Sequence, residues 1–243
     1  MKINNKILVA IVLLIGTTFS ANAQLSHTQK GAVDEKAKSI LSKAKDKIKS
    51  SNGISFTSQI IIKDQEKKEK SRQKARVLLS KNKYQILVEK HVFYCDGKTV
   101  WHHNKETKEV IINNIEKEED NILNPSKLFD NYEKNFKAKF IRENEDGTFV
   151  IDLTPTKGKE YHKIRLLIEK KSYQLKNMAM YYYDSSQTEY TIEQYRTDVT
   201  TSEADFVFNP AENKGIDPMH KEIVQIKQHL IRLDPVTARP EKL

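Results

Sequence analysis

The sequence predicts a mainly β protein of α+β class: a strongly curved antiparallel sheet of about ten to twelve strands carrying two short amphipathic helices. Three observations predict it. From Ile54 onward, apolar residues recur at every second position over short runs. Turn chemistry such as Asp96-Gly97 and Asp146-Gly147 separates those runs at hairpin intervals. Two windows alone change to a helical spacing, and a sheet of so many strands must curl or close to protect its edges.

The chain opens with MKINNKILVAIVLLIGTTFSANAQ, where Lys2 and Lys6 precede an uncharged apolar run that ends in Ala21-Asn22-Ala23. This reads as a secretory signal peptide over residues 1–23, cleaved after Ala23, because the run is shorter than the roughly 20 residues of a membrane span. A soluble protein outside the cytoplasm is expected. Gln24 stands where a bacterial lipoprotein needs a cysteine, so lipidation by that route is not expected. Residues 24–218 read as one domain, and residues 219–243 as an extension fitting neither period.

The first helical window places Val33, Ala37, Ile40, Leu41, Ala44 and Ile48 on one face, with Gly53 as a stop. Strand periods follow at Phe56, Ile60 and Ile62, then Ala75, Val77 and Leu79, then Tyr84, Ile86 and Val88. "VFYC" and "TVWHH" join through Asp96-Gly97, and Asn104 to Thr107 make the next turn. "NPSKLFDNYEKNF" supplies helix-start residues and then Leu128, Phe129, Tyr132 and Phe136 at helical spacing. Strands resume in "AKFIREN", "TFVIDLTP", "HKIRLLIEKK", "LKNMAMYYY" and "TEYTIEQYR".

The formal charge of +9 falls to +7 when the two leader lysines are removed. In a secreted chain that balance suits an anionic surface or acidic partner better than nucleic acid. The run KDQEKKEKSRQK, Lys63 to Lys74, mixes signs and reads as a solvated loop. Cys95 is the only cysteine, so no internal disulfide forms. His102 and His103 are neighbours in a strand and point to opposite faces, which denies them a shared metal. No catalytic, phosphate-binding or metal motif is present. No enzyme activity, cofactor or metal is expected, and a monomer is.

What recurs instead is an apolar sheet face rich in large, adaptable side chains. Its candidate lining or supporting residues are Phe56 and Ile60; Val77 and Leu79; Tyr84, Ile86 and Val88; Tyr94 and Trp101; Phe149 and Ile151; and Met178, Met180 and Tyr182. Ordinary packing accounts for any one of them. Two short helices, however, leave a sheet this long with concave apolar surface to spare, and such concavity is how a lipid pocket is made.

The quoted segments resemble the LolA family of periplasmic outer-membrane lipoprotein carriers. The resemblance lies in "DGKTVWHHNKETKEV", in "SYQLKNMAMYYYDSSQTEYTIEQYRTD", in "ADFVFNPAENKGID" and in "NPSKLF", and it spans about residues 33 to 217. It implies an unclosed antiparallel barrel whose open side is covered by helices acting as a lid, with lid residues Ile40, Leu41, Leu128, Phe129 and Tyr132. It also implies lipid-modified lipoproteins as cargo, an inner-membrane lipoprotein-releasing ABC transporter as donor and an outer-membrane acceptor. The alternative is a lipid-sensing or protein-binding module on the same fold that does not shuttle. Two departures stand out. "SKNKY", with Lys81 and Lys83, replaces the family's Arg-Pro-aromatic strand start, whose arginine bonds the lid, and about 25 residues follow "KGID".

Overall fold

The computed structural model describes residues 34–114, 125–212 and 217–219. The expected signal peptide and residues 220–243 of the extension lie outside them.

Helix α1, Glu35–Ser50, starts where Asp34 takes an extended conformation and its Oδ1 accepts from the Ala37 backbone N–H at 2.9 Å. Its predicted apolar stripe is real: Ala37, Ile40, Leu41 and Ala44 are buried, while the lysines face outward. Helix α2, Pro125–Asn135, opens on proline, whose fixed φ and missing N–H suit a first helical position. It buries Leu128, Phe129 and Tyr132. Phe136, expected on this helix, instead begins strand β7.

The strands are β1 (Ile54–Lys63), β2 (Glu69–Ser80), β3 (Lys83–Val88), β4 (His91–Cys95), β5 (Thr99–Asn104), β6 (Glu109–Asn114), β7 (Phe136–Glu143), β8 (Thr148–Pro155), β9 (Tyr161–Glu169), β10 (Leu175–Tyr182), β11 (Gln187–Thr197) and β12 (Asp217–Met219). They form one twelve-stranded sheet in the order β12-β6-β5-β4-β3-β2-β1-β11-β10-β9-β8-β7. All pairs are antiparallel except the short β12, which runs parallel to β6 and places Met219 within the sheet. Of the charged run expected as a loop, only Asp64 to Lys68 is one: Lys63 ends β1, and from Glu69 the run is the exposed end of β2, carried by the β1 ladder.

The turns form where the sequence places them. Asp96 Oδ1 accepts from Lys98 N at 2.8 Å and Thr99 N at 2.7 Å, and Gly97 takes a φ of +96°. A side chain there would meet both this conformation and the Asn82 amide, 2.2 Å from an added Cβ. Asn104 and Asp146 close their turns in the same way through their side-chain oxygens.

The sheet is open, with β12 and β7 as its ends among the described residues, and it is strongly curved. Ile86 of β3 and Leu128 of α2 line one cleft, and α2 also packs on β7, seven strands away in the order. Laid flat, that separation would be about 34 Å, at ~4.8 Å per strand. An eleven-residue helix is only about 16 Å long, so the sheet curls around it. The result is an unclosed barrel with α1 and α2 across its open side. Asp34 ties the arrangement together, because its second oxygen, Oδ2, accepts from Phe140 N of the edge strand β7 at 2.8 Å.

Candidate functional site

Register decides which residues face the helices. The two-residue turn at Glu89-Lys90 pairs Val88 with His91 and therefore Ile86 with Phe93 and Tyr84 with Cys95. Across β2 and β1 the same face carries Leu79, Val77 and Ala75, then Ile54, Phe56, Ser58 and Ile60. On the other half it runs from Tyr190 to Met178, Leu166 and Ile151. These side chains and the buried faces of both helices form one apolar core.

Within that core a cleft of about 30 Å³ remains between Leu128 of α2 and the sheet residues Phe56, Ile60, Val77, Ile86 and Met178. Ser58 and Tyr190 are among its walls, and none of its lining residues is charged. A second, narrower cleft of about 10 Å³ lies beside it, between Ala44, Lys47 and Ile48 of α1 and Leu79, Tyr173 and Tyr195. The two share Phe56, Leu175 and Ile192, so they are parts of one apolar seam beneath the helices. At these volumes there is room for a water or two, far below the several hundred Å³ of a formed ligand pocket. As it stands, the seam is filled by the side chains of the helices and the sheet.

Burial keeps the Tyr190, Tyr195 and Tyr132 hydroxyls neutral at any physiological pH. Full burial pushes the Tyr190 phenol well above its ordinary value, and burial takes Tyr195 to about 12. Tyr132 is likewise pushed up to about 12, first by burial and then by the Glu133 carboxylate that accepts from its hydroxyl at 3.2 Å. The main cleft holds polar points but no ionised ones, and the one charged residue lining the second is Lys47.

The helices are held to each other by ion pairs. Lys45 and Lys49 reach Asp130 at 3.3 and 2.9 Å, and Lys38 reaches Glu133 at 3.6 Å. All are solvent-accessible and each contributes about 0–1 kcal/mol. Lys83, one of the two bases in "SKNKY", pairs with Glu203 at 2.5 Å.

The structure brings most of the predicted residues together. Phe56, Ile60, Val77, Ile86 and Met178 line the main cleft and Leu79 the second. Tyr84, Val88, Phe149, Ile151, Met180 and Tyr182 sit buried in the same core, as do Ile40, Leu41, Phe129 and Tyr132, the residues expected to form a lid. Tyr94 and Trp101 require correction. They pair with each other across β4 and β5, one position out of phase with Phe93 and Val100 of the core, and so lie on the outer face. There the C-terminal segment covers the sheet: Phe206 and Phe208 are buried, Phe208 meets the rings of Tyr94 and His103 at 6.1 and 5.3 Å, and Gln85 Nε2 donates to the Asp205 carbonyl at 2.9 Å. Among the inner positions that the sequence reading missed are Phe93, Leu166, Leu175, Tyr190 and Ile192. Their signal was the turn length between strands, which fixes phase where composition does not.

The profile of a family described as outer membrane lipoprotein carrier protein LolA matches residues 88–209, half of the chain. The chain belongs to the LolA family. No curated protein matches its sequence. Among solved structures, an uncharacterized conserved protein from Thermus thermophilus is similar, with 12% identity and a TM-score of 0.55 over 76% of this chain and 99% of the other. A LolA superfamily protein from Nitrosomonas europaea is 11% identical with a TM-score of 0.41, over 71% of this chain and 97% of its own. LprF from Mycobacterium bovis is 12% identical with a TM-score of 0.39, over 71% and 97%. Of these three, the Thermus protein is the likeness that speaks to the fold.

Among the described residues no group of three His, Cys, Asp or Glu side chains could hold a metal ion, and no helix is long and apolar enough to cross a membrane.

Proposed function

We propose that this protein is a periplasmic, non-catalytic carrier that holds the acyl chains of lipoproteins in the seam beneath α1 and α2 and shuttles them from the inner to the outer membrane. It would receive them from a lipoprotein-releasing ABC transporter and yield them to an outer-membrane acceptor. The observation that carries the reading is a continuous, uncharged apolar sheet face capped by a short helix that meets it through Leu128, Phe129 and Tyr132. A palmitoyl chain of about 15 methylenes gains roughly 12 kcal/mol on leaving water. Displacing α2 exposes Leu128, Phe129 and Tyr132 at about 1.5–3 kcal/mol each, roughly 4.5–9 kcal/mol together, and the exposed ion pairs add little. The chain therefore wins the contest for the surface, and the lid recovers part of that energy when cargo is handed on.

The test is a lock. Lys45→Cys and Asp130→Cys, in a Cys95→Ala background, joined by a short reducible cross-linker, tie α2 to α1. Uptake of an acylated peptide, measured by displacement of a hydrophobic dye, should be blocked in the cross-linked protein and return on reduction. The unacylated peptide should not displace the dye in either state. Equal uptake with the lock closed would show that α2 need not leave α1 and would favour the non-shuttling sensing module.

A further inference from the structure

The lysines of α1 do not all have the same occupation. With 3.6 residues per turn, Lys38, Lys45 and Lys49 fall on one flank of the buried stripe and Lys36, Lys43 and Lys47 on the other. The first row is neutralised by Asp130 and Glu133 of α2. In the second, Lys36 Nζ lies 3.7 Å from the centre of the Phe140 ring. Lys43 and Lys47, by contrast, meet no carboxylate within ion-pair distance among the described residues. Lys43 Nζ instead donates to the Tyr173 hydroxyl at 3.1 Å, and Lys47 is part of the wall of the second cleft. Two like charges four residues apart on a helix repel each other. Here they stand where the apolar seam reaches solvent. Tyr173 is held at that mouth with a φ of +57°, a conformation unusual for a bulky residue, secured by its N–H donating to the Glu169 carbonyl at 2.8 Å.

We infer that Lys43, Lys47 and the Tyr173 hydroxyl form a head-group site for an acylated anion whose chain lies in the joined clefts. The chemistry is that of a carboxylate or phosphate at the end of a hydrocarbon chain: two ammonium groups and a phenol can donate to its oxygens, while Ile48, Tyr195 and Ile192 continue the path for the chain. The inference rests on the reading that the seam takes acyl chains. It widens the cargo, because a carboxylate or phosphate head adds an interaction that an uncharged acylated group lacks.

The experiment compares amphiphiles of one chain length as competitors for a hydrophobic dye on the full protein. Laurate and dodecyl phosphate should bind about 5- to 30-fold more tightly than dodecanol, as expected for two partly exposed charge contacts. Added salt should narrow the gap. Lys43→Gln with Lys47→Gln should abolish the gap between the anions and dodecanol measured on that same variant, and Lys43→Arg with Lys47→Arg should keep it. Lauroyl lysophosphatidylglycerol against lauroyl lysophosphatidylcholine then separates the sources: a preference for the former supports a phospholipid head, and a preference confined to laurate supports a free fatty acid. Equal affinity of anions and dodecanol, or a preference that survives the glutamine pair, overturns the inference. If laurate binds but acylated peptide does not, the carrier reading fails and the head-group site stands; the reverse result removes only the site.

Discussion

Leu128→Ala is expected to tighten the binding of acyl cargo, not to weaken it. Leu128 is 6% exposed and closes the main cleft against Phe56, Val77 and Ile86, so truncation removes closed-state packing. Losing most of a buried leucine side chain costs about 2–3 kcal/mol. Where a closed form dominates and the open form binds, apparent affinity scales with the open fraction. The structure therefore sets a ceiling of about 30- to 150-fold in apparent Kd, reached if all of the lost packing is specific to the closed state. Dye competition with an acylated peptide measures this, and urea unfolding of the same variant reports the matching loss of stability. The dye should also bind the variant more strongly without cargo, because the same surface is exposed. A variant that loses stability but binds the peptide more weakly would refute the reasoning: Leu128 would then be a wall of the occupied site and no competitor for it.

Three further outcomes follow from individual contacts. Asp34→Ala removes both the α1 cap and the bond to Phe140 N, and should cost about 2–3 kcal/mol in denaturant unfolding; Asp34→Ser, able to keep the cap but not the reach to β7, should recover about half. Tyr94→Leu and Trp101→Leu should leave acyl-peptide affinity unchanged while loosening the C-terminal segment, seen as faster proteolysis near Phe208. His103 is buried against Phe208, and burial first, then Lys105, lowers its pKa. The folded state then binds the proton less readily than the unfolded chain, so this residue's stabilisation is intact above the ordinary histidine pKa and is lost as pH falls below it. His103→Phe should flatten the decline in stability between neutral pH and about pH 5, measured by urea unfolding.

The fold was legible because its local signals agree. Alternation, turn residues and the proline at the start of α2 each point to the same hairpin order, and the structure departs only at boundaries such as Phe136 and Glu69. The sheet's curvature was not in those signals. It follows from the need of two short helices to reach both β3 and β7, a relation among elements far apart in the chain.

The candidate site was legible only as far as one face of the sheet was apolar and the other wet. Over β1 to β3 and β8 to β10 that condition largely holds, and the residues chosen by alternation lie on the inner face. Over β4 and β5 it fails, because Phe206 and Phe208 return to cover the outside and make both phases apolar: Val92 and Tyr94 on one face, Phe93 and Cys95 on the other. Composition then favours the largest ring and chooses Trp101, which is on the outside. The Glu89-Lys90 turn resolves the ambiguity, since a two-residue connection forces Val88 opposite His91 and so places Phe93, two residues on, beside Ile86. The lysine rows of α1 illustrate the converse limit. Their spacing is visible in EKAKSILSKAKDKIKS, but which row is neutralised depends on where Asp130 and Glu133 lie. Lys43 and Lys47 thus acquire their significance from what the fold leaves beside them among the described residues: the end of a narrow apolar seam, a phenol and no carboxylate.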